Sequence, residues 1–187
     1  MSSVPAVYEA FRGRLGAFGQ VVVAGGSVRD HVMGRTAKDF DVFVLGPVTD
    51  DQVAAVSGAL SGLEIVTPPE FHKSEPYLVA TVRLEGELVQ IMCNPAADIE
   101  ALLDSFDWNV SLFAFDGTVR QREMVENIAI GRSLRLQTVT FPLSTLRRGF
   151  RFSERFGMVF ERADIVRLCR DVAKLKTQEA GSELPSN

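Results

Sequence analysis

The sequence lacks the residues from which disulfide frameworks and cysteine–histidine metal sites are built. Its 187 residues include two cysteines, Cys93 and Cys169, and two histidines, and no spacing among them fits a metal site. No apolar run is long enough to cross a bilayer, and the N-terminal residues do not combine a basic start with an unbroken apolar stretch. These absences predict a cytoplasmic protein with reduced thiols and no membrane attachment.

Charge is distributed unevenly along the chain. The net charge of −4 combines an acidic region, residues 1–118 at −9, a basic region, residues 119–176 at +7, and a tail at −2. Such a division favours a site in which carboxylates on one side bind cations and arginines on the other side bind phosphates. The alternative is that the basic region forms an ordinary solvated helical surface.

Hydrophobic periodicity predicts an α+β fold in which strands and helices alternate at first and helices follow alone. Hydrophobic residues make up 46% of the chain, enough for one domain with a core, alone or with an appendage. The predicted strands are 20–25, 38–46, 63–67 and a hairpin over 77–93 with Gly86 near its turn. The predicted helices are 5–18, 27–34, 49–60, 95–105 and 142–176, while residues 108–120 fit either state.

Two aspartates lie two positions apart in the strand KDFDVFVLG, although aspartate is a poor strand former. Residues i and i+2 of a strand project from the same face about 6–7 Å apart, so Asp39 and Asp41 are predicted to lie side by side. Two such carboxylates can share two divalent cations about 3.5–4 Å apart, the arrangement that supports nucleotidyl transfer. Mg²⁺ is the expected ion because the ligands are all oxygen. The alternative is a solvent-facing pair without chemistry.

Two glycines separate the first strand from the helix that follows it. Backbone N–H groups at Gly25 and Gly26 can approach a phosphate closely, and Arg29 in the first helical turn can add a charged contact. Ser27 is the predicted N-cap of this helix, with Asp30 as its capping-box partner. A plain tight turn is the alternative. The stretch has neither the G-x-G-x-x-G order of a dinucleotide-binding fold nor a Walker loop.

The combination of these residues resembles the head domain of the tRNA nucleotidyltransferase/poly(A) polymerase family in its bacterial-type branch. That family belongs to the polymerase-β-like nucleotidyltransferase superfamily and has the pattern G-G-x-V-R-D, G-R, D-x-D. The matching positions are Gly25, Gly26, Val28, Arg29, Asp30, Gly34, Arg35, Asp39 and Asp41. The resemblance implies Mg²⁺ on the aspartate pair and transfer of a nucleoside monophosphate from an NTP, such as ATP, to a hydroxyl.

Two further stretches are similar to motifs of the same family. SFDWNVSLFAFD, residues 105–116, is similar to R-R-D-F-T-I-N-A-L-A-Y-D; it keeps Asp107 and Asp116 but has Ser105 and Phe106 in place of the arginines. LRRGFRFSERFG is similar to the helix that opens the family's neck domain. The resemblance therefore implies that Asp107, Arg148 and Arg151 contribute to nucleotide binding.

The extent of the resemblance defines the predicted domains. It covers about residues 20–160 and less than half of a full family member, without the nucleotide-selecting E-D-x-x-R motif or the helical body. We expect a truncated form with a nucleotidyltransferase head at residues 1–138, a helical neck-like segment at 139–177 and a disordered tail at 178–187. In the superfamily a third metal-binding carboxylate usually lies on a neighbouring strand. There this sequence has Glu87, for which an exposed strand residue is the simpler interpretation, and Gln90, which can orient ligands but adds no negative charge.

These observations predict a nucleotidyltransferase whose acceptor is an RNA 3′ end, as in tRNA processing, or another hydroxyl. The first alternative is a catalytically degenerate module of the same fold that binds nucleotide or RNA, which the altered second motif favours. The second alternative is a toxin-type enzyme that modifies tRNA ends. Apolar positions on the C-terminal helices would also allow a homodimer.

Overall fold

The computed structural model of the chain describes residues 3–67, 77–122 and 133–182, with side chains described up to residue 174. The helices are α1 (Val4–Leu15), α2 (Gly26–Val32), α3 (Asp50–Ala59), α4 (Ile99–Asp104), α5 (Pro142–Phe156) and α6 (Arg162–Ser182). The strands are β1 (Gln20–Ala24), β2 (Phe40–Leu45), β3 (Glu64–Thr67), β4 (Tyr77–Leu84), β5 (Glu87–Asn94), β6 (Phe113–Phe115), β7 (Val119–Gln121), β8 (Ser133–Leu134) and β9 (Val159–Phe160). A 3₁₀ turn covers Asn109–Ser111.

The chain forms two compact units. The sheet unit consists of Met1–Ser105 and Ser111–Arg122, and the helical unit consists of Phe106–Val110 and Glu123–Asn187. The domain boundary at residue 138 comes from the sequence pattern and stays a prediction. In the part of the chain that the structure describes, no helix combines the length and apolar character needed to cross a membrane.

The sheet unit is built on a seven-stranded mixed sheet with the order β3-β4-β5-β2-β1-β6-β7. Its neighbours are antiparallel except β2 and β5, which run parallel at the centre. The predicted hairpin is confirmed, because β4 and β5 pair from Leu84 and Glu87 onward around Gly86, whose φ is +90°. The α+β class expected from the sequence is therefore correct.

Helix α1 covers one face of this sheet. Its N-terminus is capped by the Ser3 hydroxyl, which accepts a hydrogen bond from the Ala6 N–H at 3.3 Å. Phe11 and Leu15 are buried one helical turn apart, as the sequence periodicity predicts. Tyr8 packs edge to face on Phe115 of β6 with ring centroids 5.3 Å apart. By the strand register Phe115, Val23 and Val42 share the face under α1, so Asp41, the polar residue of β2, lies on the opposite face.

The helical unit has its own core around Trp108. This cluster of buried side chains consists of Trp108, Val110, Leu134, Leu136, Met158 and Leu168. The indole N–H donates to the Thr145 carbonyl at 2.9 Å, which joins the segment before the 3₁₀ turn to α5. Gly149 allows α5 to approach the Trp108 ring closely, since a Cβ at this position would lie 2.5 Å from the ring. Residues 106–110 of the second family-like motif thus belong to the helical unit, whereas residues 111–116 belong to the sheet unit.

Two local predictions differ from the structure, and one open stretch is resolved by it. The helix expected over 142–176 is interrupted at Gly157, which has a left-handed φ of +63° and ends α5 before strand β9 begins. Helix α6 continues to Ser182, so residues 178–182 of the predicted tail are helical, and 183–187 lie outside the described residues. The stretch 108–120, left open by its sequence, contains the 3₁₀ turn, β6 and most of β7.

Candidate functional site

Asp39 and Asp41 lie where β2 begins. The intervening Phe40 and the following Val42 are buried in the layer opposite, whereas Asp39 is exposed and Asp41 partly buried. Asp41 therefore projects to the other side of the strand from Phe40 and Val42, as the period of two requires. Asp39 precedes β2, and its position on the same side as Asp41 stays a prediction. Burial, together with the nearby charge of Asp39, raises the pKa of Asp41 to about 7.

No cation of the described chain neutralises this pair. The side chains of Asp39 and Asp41 form no ion pair or hydrogen bond with another described residue, and the two carboxylates repel one another. Two crowded oxygen ligands without an internal partner are a suitable binding position for a hard divalent cation such as Mg²⁺. Among the described residues, no group of three or more acidic, histidine or cysteine side chains is placed to share a metal.

The glycine turn follows β1 beside this pair, since Ala24 of β1 is the register partner of Asp41. Gly25 has φ +82° and ψ −137°, a conformation that only glycine adopts readily. Its N–H donates to the Phe113 carbonyl at 2.7 Å and is committed to the sheet. Because the first N–H groups of a helix have no intrahelical acceptor, a phosphate here would meet those that follow Gly25.

The helix cap predicted at Ser27 is wrong. Gly25 occupies the N-cap position of α2, and no side chain caps the helix. Ser27 lies inside the helix, and its buried hydroxyl has no hydrogen-bond partner among the described residues. Asp30, the predicted capping-box partner, is instead buried and accepts a hydrogen bond from the guanidinium of Arg29. The glycine conformation, which a sequence pattern does not show, moves the helix start by two residues.

Arg29 lies inside the sheet unit and not on its surface. The residue is 2% exposed, and its Nε and Nη2 atoms lie 3.0 and 2.9 Å from Asp30 Oδ1. A Cβ on Gly26 would come within 3.3 Å of Arg29 Nη2, so the guanidinium directly supports the glycine turn. This position gives Arg29 a role in holding the turn, and its contact with phosphate stays a prediction.

Asp107 and Arg148, from the second and third motifs, come together within the helical unit. Arg148 Nε donates to Asp107 Oδ2 at 2.7 Å, and Nη1 donates to Ser144 Oγ at 3.0 Å. The Asp107 carbonyl also accepts from the Gln137 N–H at 2.8 Å. The pair connects α5 to the segment before the 3₁₀ turn. The other predicted site residues Asp39, Asp41, Gly25, Gly26 and Arg29 belong to the sheet unit.

Arg151 is exposed on α5 and has no ion pair or hydrogen bond in the described part of the chain. Two other exposed arginines, Arg147 and Arg155, lie four residues before and after it and thus on the same side of the helix. Sequence reasoning missed these two, although their spacing of four was the signal. Gln90, which it left undecided, is the register partner of Asp41 on β5.

Comparison with known proteins finds the same fold in tRNA-processing enzymes. No protein-family model matches the chain. The chain is 26% identical to the CCA-adding enzyme of Staphylococcus saprophyticus over 84% of its length and 42% of that enzyme. It is also similar to the structure of the Thermotoga maritima CCA-adding enzyme complexed with tRNA, with a TM-score of 0.60, 24% identity, and coverage of 91% of this chain and 43% of the other.

A further similar structure is a tRNA nucleotidyltransferase complexed with a primer tRNA and an incoming ATP analogue. Its TM-score is 0.58 at 17% identity, with 90% of this chain and 50% of the other covered. The chain has the fold of tRNA nucleotidyltransferases. The predicted resemblance is confirmed, and the chain spans about two-fifths of the length of the curated relative it matches.

Proposed function

We propose that this chain is a Mg²⁺-dependent nucleotidyltransferase that moves a nucleoside monophosphate from an NTP to a hydroxyl, with a tRNA 3′ end as the acceptor. The observation that carries the proposal is the uncompensated pair of Asp39 and Asp41 beside the glycine turn. The similarity to CCA-adding enzymes supports both the reaction and the acceptor.

In the proposed reaction, the acceptor oxygen bonds to the α-phosphorus of the NTP while the bond to pyrophosphate breaks. Bound Mg²⁺ would supply charge for the phosphates and a lowered pKa for the attacking hydroxyl. Asp39 and Asp41 would hold the cation, and the oxygen donors of these two neighbouring carboxylates fit it. The N–H groups after Gly25 would orient the triphosphate, with Arg29 and Asp30 keeping that turn in place.

The helical unit has positive charge of its own on α5. Arg151 and its neighbours Arg147 and Arg155 form an exposed basic side of α5, suited to the phosphates of RNA or nucleotide. Asp107 and Arg148 would act on nucleotide binding by fixing α5, because each is the other's partner. Their direct contact with the nucleotide remains the prediction made from the sequence.

The test is label transfer from α-labelled ATP or CTP to tRNA that lacks its 3′-terminal nucleotides. The chain with Mg²⁺ should label the tRNA and release pyrophosphate, and Asp39→Asn or Asp41→Asn should lower the rate at least about a hundredfold. Asp51→Asn, an exposed aspartate of α3, is the matched control and should keep the rate. Transfer that persists in both site variants would contradict the proposal.

A second candidate function is a nucleotide- or RNA-binding module without turnover. It is favoured by the absence of a three-carboxylate cluster among the described residues. In that case Mg²⁺ and NTP would bind with dependence on Asp39 and Asp41, measured by calorimetry, while no label reached tRNA. NTP binding equal in the chain and Asp39→Asn, with or without Mg²⁺, would exclude this candidate.

A further inference from the structure

Gln90 lies directly beside Asp41 on the neighbouring strand. The parallel pairing of β2 and β5 matches Asp41 with Gln90, and adjacent strands are about 4.8 Å apart. Register partners project from the same face of a sheet, so the Gln90 side chain shares the face of Asp41. On the next strand, Thr81 of β4 is the partner of Gln90 and continues the same row.

The Gln90 amide is available to a ligand. The residue is partly buried, and its side chain makes no hydrogen bond to any described residue. A glutamine amide offers one acceptor oxygen and two N–H donors. Its oxygen is the ligand type that Mg²⁺ accepts alongside carboxylates.

Glu87 cannot take this place. It lies three positions before Gln90 on β5, and residues an odd number apart point to opposite faces of a strand. Its register partner is Leu84 at the hairpin turn, three residues along β4 from Thr81. The row beside Asp41 therefore carries an amide and a hydroxyl in place of a third carboxylate.

We propose that Gln90 is the third protein ligand of the divalent-cation site, giving a neutral oxygen beside the carboxylates of Asp39 and Asp41. This inference rests on the proposed function, because it needs the aspartate pair to bind the cation. A neutral third ligand avoids a third negative charge beside the two neighbouring charges of Asp39 and Asp41. It also makes the site a weaker cation binder than a three-carboxylate site.

The test is a titration with Mn²⁺, followed by the electron paramagnetic resonance signal of the free ion, on the metal-free chain. Gln90→Met keeps the length but removes the oxygen, and should weaken Mn²⁺ binding about tenfold. Gln90→Glu adds a carboxylate and should tighten binding about tenfold. Circular dichroism checks that each variant is folded.

Gln20→Glu is the matched control. Gln20 is exposed on β1, four residues from Ala24, which places the same charge change about 13 Å from the row of Asp41. The Gln20 variant should bind Mn²⁺ like the unchanged chain. A gain equal to that of Gln90→Glu would show a general charge effect and overturn the inference.

The two proposals fail in different ways. Mn²⁺ affinity that is lost in Asp39→Asn but equal in the chain, Gln90→Met and Gln90→Glu would overturn the role of Gln90 alone. Mn²⁺ affinity that does not depend on Asp39 or Asp41 would overturn the cation site itself and the role of Gln90 with it.

Discussion

The two units differ in whether a buried or partly buried aspartate has a cationic partner. In the helical unit, Asp107 is 8% exposed, and Arg148 donates hydrogen bonds to its carboxylate. The main-chain carbonyl of Asp107 also accepts a hydrogen bond from a backbone N–H. In the sheet unit, Asp41 is partly buried without a partner, and burial next to Asp39 raises its pKa to about 7. The sheet unit does contain a buried guanidinium, that of Arg29, but this binds Asp30. A compensated carboxylate stabilises its unit, whereas an uncompensated pair is suited to a cation from outside.

The largest stability effect is expected from Arg148→Met. This change leaves Asp107 enclosed without its cation, and the helical unit should lose about 2 kcal/mol, less than the roughly 3–5 kcal/mol of fully buried pairs because Arg148 is partly exposed. Trp108, the single tryptophan of the chain, reports unfolding of this unit in urea by its fluorescence.

Arg151→Met is the control for that experiment, because Arg151 is exposed on the same helix without an ion pair among the described residues. Its urea midpoint should match that of the unchanged chain. Equal midpoints for Arg148→Met and Arg151→Met would mean that the Asp107–Arg148 pair does not stabilise the helical unit.

Asp41→Asn should stabilise the chain, in contrast to Arg148→Met, and the size of this gain should depend on pH. The ordinary pKa of 3.8 rises to about 7 on folding, so the ionised form costs stability that grows from pH 4 to pH 7 and is complete above it. In metal-free buffer at pH 8 the variant should melt roughly 5 °C higher than the unchanged chain, with the gain fading toward pH 4.

Adding Mg²⁺ to the melting experiment gives a second comparison. Mg²⁺ should raise the melting temperature of the unchanged chain but not that of Asp41→Asn. Asp51→Asn, exposed on α3, should show neither the pH-dependent gain nor a lost Mg²⁺ response. A difference between Asp41→Asn and the unchanged chain that stayed constant from pH 4 to 8 would contradict the crowding of this carboxylate.

The smallest effect is expected at Asp116, a third aspartate whose partner is at the surface. Burial alone would raise its pKa, but hydrogen bonds from Arg120 and Thr118 and the charge of Arg120 lower it below the ordinary value. Asp116→Asn should therefore cost about 0.5 kcal/mol at pH 7, and the cost should vanish as the pH falls below 4, in urea unfolding followed by circular dichroism. A stabilising effect at pH 7 would show that Asp116 resembles Asp41.

Local pattern predicted the parts of the site that lie close together in sequence. The strand that carries Asp41 and the turn that the glycine pair marks between β1 and α2 are both found. The shared side of Asp39 and Asp41 stays a prediction, because Asp39 precedes β2. The conformation of Gly25 was not predicted, because a positive φ leaves no trace in hydrophobic periodicity. The predicted cap at Ser27 failed for that reason.

Long-range pairing decided what the sequence could not. Asp107 and Arg148 are 41 residues apart, and their mutual contact depends on how α5 packs on Trp108. Gln90 gains its place beside Asp41 only because β2 and β5 pair in parallel. Parallel pairing joins strands that are distant in sequence, so the composition of either strand gives no register.

The most direct test of the central claim is a crystal of the chain grown with Mn²⁺ and a non-hydrolysable NTP analogue, measured at the manganese absorption edge. The predicted result is an anomalous peak bound by the carboxylates of Asp39 and Asp41, with the triphosphate against the turn at Gly25 and Gly26. Manganese and triphosphate bound elsewhere, with both carboxylates left without a metal, would contradict it.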